Sequence, residues 1–308
     1  MIQGLTYEYC IELMPQWQGQ ELKIDLLTGG ITNKLYRVRL SDGGDYVVRL
    51  HGQKTDLFID RDVEAENIRR MASAGIAAKL VKYLPEKNVT IVEYIAGSVF
   101  KNADFLKVEL LETLLRPIKL IHKAQTRLPK LFDPFEGVVQ LYHVFRDVGP
   151  DYPEFDIRGT IDVLQRIWAM AEMPHSDYVP CHNDLLADNF IKAEDPERYP
   201  EQVYLIDWEY AAMSTPYYDI SDMFQEILVP VEIEEKILSI YWEDSNMDEH
   251  IRKTDILKPF PDIYWFLWSL IQLNISGIEF DYYNYGKVKY ENAQKNIARL
   301  RFCYGLQI

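Results

Sequence analysis

The sequence predicts an α+β chain of two unequal parts: a small five-stranded antiparallel sheet carrying one helix, then a larger and mainly helical part. Three observations predict it. Up to about residue 94, short runs rich in β-branched and aromatic residues alternate with turn signals, and only one segment has helical periodicity. Beyond Gly97 the pattern changes to long amphipathic stretches. The length, 308 residues, leaves room for about two cores, which divide the chain into residues 1–96 and 97–308.

Strands are predicted at residues 22–27, 35–40 and 45–51, the last two joined by Ser41-Asp42-Gly43-Gly44, a hairpin-turn signal. Residues 59–74 repeat with helical spacing and stop at Gly75, where a C-terminal glycine belongs. Runs at 78–84 and 89–94 complete the sheet. Helices follow at 105–126, 155–171, 216–228, 232–242, 261–276 and 287–301. A strand-loop pair at 179–191 and 203–210 interrupts them, and loops set in a rigid scaffold are where chemistry concentrates.

Composition narrows the function. The 33 Lys+Arg against 48 Asp+Glu give a net charge of −15, which argues against a nucleic-acid or anionic-membrane partner and is compatible with a cationic small substrate. With 48% hydrophobic and 26% charged residues the chain is globular, not disordered. Cys10, Cys181 and Cys303 are far apart and form no metal-ligand spacing, so a reducing, cytoplasmic setting is expected. The first 20 residues carry Glu8 and Glu12 with no basic segment before an apolar block, so no secretory leader is expected. The longest uncharged stretch, 263–278, falls short of a bilayer span.

The strongest chemical signal runs from Cys181-His182-Asn183-Asp184 to Asp188-Asn189-Phe190 and on to Leu205-Ile206-Asp207-Trp208-Glu209-Tyr210. Asp184 is followed by Asn189, and an apolar strand then delivers Asp207. That order is the layout of a phosphoryl-transfer loop: an aspartate to take a hydroxyl proton, an asparagine for one Mg²⁺ and a second aspartate for the bridging Mg²⁺. Hard oxygen ligands, few per ion, suit Mg²⁺ held largely by phosphates. Each aspartate alone reads equally as a helix cap or a turn, and only the ordered set favours chemistry. Upstream, Thr28-Gly29-Gly30-Ile31-Thr32-Asn33 between two strands lets backbone amides approach a phosphate. Arg49 on the third strand and Glu64 on the following helix form either the ion pair that positions nucleotide phosphates or an ordinary buried salt bridge.

These segments together resemble the choline/ethanolamine kinase family, within the aminoglycoside-phosphotransferase-like kinases. The resemblance is carried by Gly29-Gly30-Ile31-Thr32-Asn33, Val47-Val48-Arg49-Leu50-His51-Gly52, the loop from His182 to Asn189, Ile206-Asp207-Trp208-Glu209-Tyr210-Ala211 and Tyr218-Asp219-Ile220-Ser221-Asp222-Met223-Phe224. It continues through Trp265 to Gln272 and Ile278 to Tyr285, so it covers nearly the whole chain. It implies a bilobal protein-kinase-like fold and transfer of the ATP γ-phosphoryl group to the hydroxyl of choline, with Mg²⁺. By the same resemblance Gly29, Gly30, Thr32, Asn33, Arg49, Glu64, Glu93, Tyr94 and Ile95 bind the nucleotide. Asp184, Asn189 and Asp207 are catalytic, with Asn189 and Asp207 on the metal. Trp265, Trp268, Phe280 and Tyr285 line the choline pocket with Asp184, Glu209 and Tyr210. Tryptophans at helical spacing are otherwise core, but paired indoles also suit a quaternary ammonium, at roughly 2 kcal/mol or more per desolvated cation-π contact.

Two rivals remain. One is a related kinase for ethanolamine, thiamine or an aminoglycoside, the last of which would be lined mainly by carboxylates. The other is a catalytically dead nucleotide- or amine-binding module, against which the presence of Asp184, Asn189 and Asp207 counts. Other residues read as structural: His122 as a packed core histidine, His182 as a prop for the loop, Asp219 as its brace, and Glu232, Glu234 and Glu235 as a solvated helix face. Glu209 faces either the cation or solvent.

Overall fold

The computed structural model describes residues 4–27, 33–52, 57–243 and 245–305. Gly29, Gly30 and Thr32 lie outside the described residues. An N-terminal helix that the sequence reading missed, α1 (Tyr7–Leu13), starts at Thr6, whose hydroxyl accepts from the Tyr9 amide at 3.2 Å. Its Cys10 and Leu13 pack with Trp17, Val38 and Ile91 under the sheet.

The sheet contains β1 (Leu22–Leu27), β2 (Lys34–Leu40), β3 (Asp45–Leu50), β4 (Leu80–Leu84) and β5 (Val89–Glu93). Its order is β1-β2-β3-β5-β4 and every pair is antiparallel. Gly43, at φ 94°, makes the β2–β3 turn possible. Between β3 and β4 runs α2 (Arg61–Ser73), capped by the Asp60 carboxylate on the amides of Asp62 and Val63 and ended at Gly75, φ 77°. Its inner face presents Glu64, Asn67, Ile68 and Met71. The Asn67 amide donates to the Ala211 carbonyl at 2.7 Å and the Trp208 carbonyl at 3.3 Å, so α2 is tied to the segment that carries Asp207 and Glu209.

The rest is mainly helical: α3 (Leu111–His122), α4 (Pro134–Val148), α5 (Ile157–Ala169), α6 (Pro216–Ile227), α7 (Val231–Trp242), α8 (Met247–Leu257), α9 (Pro259–Ile275) and α10 (Tyr282–Tyr304). Two short sheets thread through it. β6 (Gly97–Val99), β8 (Phe190–Ala193) and β9 (Val203–Leu205) form one, while β7 (Val179–Cys181) and β10 (Ala212–Ser214) form the other. The predicted helix at 105–126 is shortened, because 102–106 and 108–110 fold as separate tight turns, the first locked by Asp104 on the Lys101 amide. The sequence reading also missed α4 and α8, and it started α10 five residues late.

Helix α9 is the central strut. From Pro259 to Gln272 every residue is buried, packed chiefly by α10 and α4. A Cβ on Gly286 of α10 would stand 1.9 Å from the Ser269 hydroxyl, so glycine there permits the close α9–α10 crossing. Glu234, predicted to be solvated, is instead buried and pairs with Lys258 at 2.6 Å, since α7 folds back on α8. Among the described residues no helix is long and apolar enough to cross a membrane.

Candidate active site

The loop between β7 and β8 is held from behind by α6. In the first turn of that helix, the fully buried Asp219 accepts from the His182 amide at 2.8 Å and the Asn183 amide at 2.5 Å. The His122 ring completes the clamp, Nε2 standing 2.8 Å from Asp219 and Nδ1 bonded to the Tyr241 hydroxyl. His122 is therefore a hydrogen-bonded brace as well as a packed residue. Asn183 takes a left-handed conformation, φ 62°, and its amide donates to the Tyr210 carbonyl at 3.0 Å. The His182 ring is buried, 2.9 Å from the Ile206 carbonyl, and burial lowers its pKa, so it remains neutral.

This clamp presents Asp184 and Asn189. The Asn189 amide donates to the Asp184 carbonyl at 2.8 Å and to its carboxylate at 3.2 Å. Burial first, then the charges of Asp222, Asp207, Glu226 and Glu209, hold the Asp184 carboxyl well above the usual range. Asp207 sits at φ 68° just after β9, and the Ile206 amide bonds the Asn189 carbonyl at 3.0 Å, which keeps the two segments adjacent.

Opposite them stands an interlocked set of charges. Arg49 Nη1 lies 2.6 Å from Glu64, 3.0 Å from Asp207 and 3.8 Å from Glu209. The pair predicted between strand and helix thus exists, and it reaches across to the Asp207 segment. Arg61, missed from sequence, donates to Glu64 at 2.7 Å and Glu209 at 2.8 Å, and reaches Asn33 at 3.3 Å. Its place in the first turn of α2, three residues before Glu64, was the available signal. Asn33 closes the ring, 3.4 Å from Glu209 and accepting from the Gly52 amide at 3.3 Å. Carboxylate oxygens of Glu64, Asp207 and Glu209 lie within 4.8 Å of one another. Glu209 therefore faces this cluster rather than solvent, and burial together with Asp207 pushes its pKa up to about 7.

Glu93, Tyr94 and Ile95 run from the end of β5 toward β6, and their side chains serve that junction. Glu93 pairs with Arg198 at 3.4 Å, the Tyr94 ring lies under Arg37, and Ile95 packs with Tyr199 and Tyr204.

The predicted aromatic residues are brought together as a run. Tyr210 meets Trp265 edge-on at 5.1 Å between ring centres, Trp265 meets Trp268 at 5.9 Å, Trp268 meets Tyr285 at 6.3 Å, and Tyr285 meets Phe280 at 5.9 Å. Both indoles are buried, whereas Phe280 is 39% exposed at the outer end. The run joins the loop through Asp222, which accepts the Trp265 indole N–H at 2.7 Å on one oxygen and the Leu185 amide at 2.7 Å on the other. Sequence reasoning missed Asp222 as a site residue, and with it Glu226 and Lys289. The Tyr285 hydroxyl donates to Glu226 at 3.1 Å, and Lys289 Nζ stands 2.6 Å from the same carboxylate.

A buried aspartate with an asparagine against it, further carboxylates and two arginines opposite, and a run of aromatic rings beside them are the kinds of group that phosphoryl transfer and recognition of a cation use. The sequence pattern of the family described as choline/ethanolamine kinase matches residues 24–250. The chain belongs to the choline/ethanolamine kinase family. It is an ATP- and Mg²⁺-dependent phosphotransferase acting on an alcohol group, with the protein-kinase-like bilobal α+β fold. A probable ethanolamine kinase of Arabidopsis thaliana is 24% identical over 319 residues, 94% of this chain and 84% of that one. Ethanolamine kinase 1 of Homo sapiens is 26% identical over 314 residues, 90% of this chain and 68% of the relative. Among solved structures, the choline kinase LicA from Streptococcus pneumoniae superposes with a TM-score of 0.79 at 24% identity, covering 95% of this chain and 98% of that one.

Proposed function

We propose that this kinase phosphorylates the hydroxyl of choline, with Asp184 as the base. Residues 1–96 form the nucleotide lobe and 97–308 the lobe that carries the loop and the acceptor pocket. The observation that carries the substrate reading is the aromatic run from Tyr210 through Trp265 and Trp268 to Tyr285 and Phe280, bound to the catalytic loop through Asp222. A trimethylammonium group has no N–H to donate, so charge and aromatic faces are what can recognise it.

The donor set fits Mg²⁺. Asp207 and Glu209 offer hard carboxylate oxygens, and because the Asn189 amide nitrogen is spent on Asp184, its oxygen is left as the ligand atom. The other cluster of ligating side chains among the described residues, His122, Cys181 and Asp219, is consumed by the brace behind the loop. When bound, MgATP supplies the phosphoryl group and the cation that neutralises its oxygens. Asn189 and Asp207 hold the ion, with Glu209 beside them. Arg49, fixed by Glu64, and Asn33 take the phosphates, a role that the sequence alone suggests for Gly29, Gly30 and Thr32, while Glu93, Tyr94 and Ile95 border the nucleotide. Asp184 orients the acceptor hydroxyl and takes its proton. A cation in the pocket offsets the carboxylates that raise the pKa of Asp184, so substrate binding itself favours the basic form.

A second reading, ethanolamine, is favoured by Asp222 and Glu226, whose carboxylates suit a primary ammonium, and by the names of the curated relatives. Measuring ADP release against choline, ethanolamine, thiamine and an aminoglycoside separates the two. Choline should give the highest kcat/KM, and a higher value for ethanolamine would replace the choline reading.

A further inference from the structure

A buried lysine beside the aromatic run proposed above to take a cation needs an account, because its charge would repel such a substrate. Lys289 lies one helical turn beyond Tyr285 on α10 and is 4% exposed. Its Nζ stands 2.6 Å from Glu226 Oε1, donates to the Gln225 carbonyl at 3.0 Å and lies 5.6 Å from the centre of the Tyr285 ring. Burial works to lower its pKa, but the Glu226 carboxylate is foremost among the groups that outweigh it and the net shift is upward, so the amine stays charged. The Tyr285 hydroxyl donates to the same carboxylate, 3.1 Å from Oε1 and 3.4 Å from Oε2. Both pocket carboxylates are thus engaged from within the protein, Asp222 by Trp265 and Leu185, and Glu226 by Lys289 and Tyr285.

We propose that Lys289 is a specificity-determining positioning residue: by occupying the Glu226 carboxylate it removes an acceptor that a primary ammonium needs and tilts the pocket toward a quaternary one. This rests on the reading of the chain as an amino-alcohol kinase with the pocket described above. A primary ammonium brings three N–H donors, and each must exchange water for a protein acceptor or lose the bond. A trimethylammonium loses nothing of that kind, since it takes its stabilisation from the aromatic walls and the residual negative charge. Lys289 also fixes Tyr285 through Glu226, so one cation sets both the acceptor supply and the wall.

The test is the ratio of kcat/KM for choline to that for ethanolamine, measured on the full chain with MgATP. Lys289→Met should lower the ratio by about tenfold or more, equivalent to roughly 1.4 kcal/mol. Lys289→Arg, which keeps the donors, should stay within about threefold of wild type. Tyr285→Phe frees part of the same carboxylate without leaving a buried charge unpaired, so it should lower the ratio by about threefold and decides the matter if Lys289→Met does not fold. An unchanged or raised ratio in folded Lys289→Met, or in Tyr285→Phe where the methionine variant is unfolded, overturns the proposal. If both substrates lose efficiency equally, the role of Lys289 is structural and the proposal likewise fails. A wild type that prefers ethanolamine refutes the choline reading alone, because Lys289 is judged on the shift. A wild type that turns over neither substrate overturns both.

Discussion

Replacing Asp219 with alanine removes one carboxylate and strands three buried donors: the amides of His182 and Asn183 and the ring Nε2 of His122, now 2.8, 2.5 and 2.8 Å from it. Each unsatisfied buried donor costs about 1 to 3 kcal/mol, so with partial rehydration the sum is roughly 4 kcal/mol. At this chain length that corresponds to a fall in melting temperature of about 6 °C. The catalytic consequence is separate. Asn183 is held at φ 62°, a left-handed conformation that Asn adopts more readily than most L-residues, and the Asp219 clamp on its backbone amide holds it there. Without the clamp the loop relaxes, Asp184 moves relative to Asn189, and kcat should fall by about 10²-fold with the KM for ATP nearly unchanged. Thermal melts and steady-state ADP release measure both effects. His122→Phe is the matched control: the backbone amides keep their acceptor, so less than about 2 kcal/mol should be lost and kcat should hold within about threefold. If Asp219→Ala melts within about 2 °C of wild type and keeps kcat within threefold, the clamp does not organise the loop.

Other outcomes follow from the same geometry. Asp207→Ala should abolish turnover and weaken the Mg²⁺ dependence of nucleotide binding followed by calorimetry, and unchanged Mg²⁺ titrations would place the ion elsewhere. Trp268→Leu keeps apolar volume and removes a π face, so the KM for choline should rise by about tenfold while that for ATP holds, a contact of this kind being worth about 1 to 2 kcal/mol; an unaltered choline KM in the folded variant would assign the indole to the core. Burial pushes the Asp262 carboxyl up to about 8 despite the opposing charge of Lys289. Between the ordinary carboxylate range and that value the folded state holds a proton that the unfolded chain has lost, so stability falls as pH rises through this window, by up to roughly 1.4 kcal/mol per pH unit. Asp262→Asn removes that term, so its melting temperature should gain on wild type from pH 5 to pH 8, and a gap independent of pH would show that Asp262 is ionised throughout.

The strands were legible in the sequence because glycine turns and β-branched runs are local signals, and β1 falls on residues 22–27 as predicted. Helix α4 escaped although Asp133 and Pro134 announce its start, since Gly137, Tyr142 and His143 blur the apolar period. The order of Asp184, Asn189 and Asp207 was readable because it is written within one stretch of chain. Arg61, Asp222, Glu226 and Lys289 were not, because each acquires its place from a partner on another element. Lys289 reaches Glu226 across 63 positions of sequence, and Arg61 reaches Glu209 across 148. The tryptophans were readable as a pair, but only the structure brings their indoles into line with Tyr210 and Tyr285 and spends the Trp265 N–H on Asp222.

The central claim is that Asp184 delivers the hydroxyl of choline to the phosphoryl group. Phosphorus-31 NMR of the purified chain incubated with MgATP and choline tests it most directly. The account predicts one phosphocholine formed per ADP, and in folded, nucleotide-binding Asp184→Asn a rate lower by about 10²-fold or more. ADP accompanied only by inorganic phosphate, or phosphocholine formed as fast by Asp184→Asn as by wild type, would contradict it.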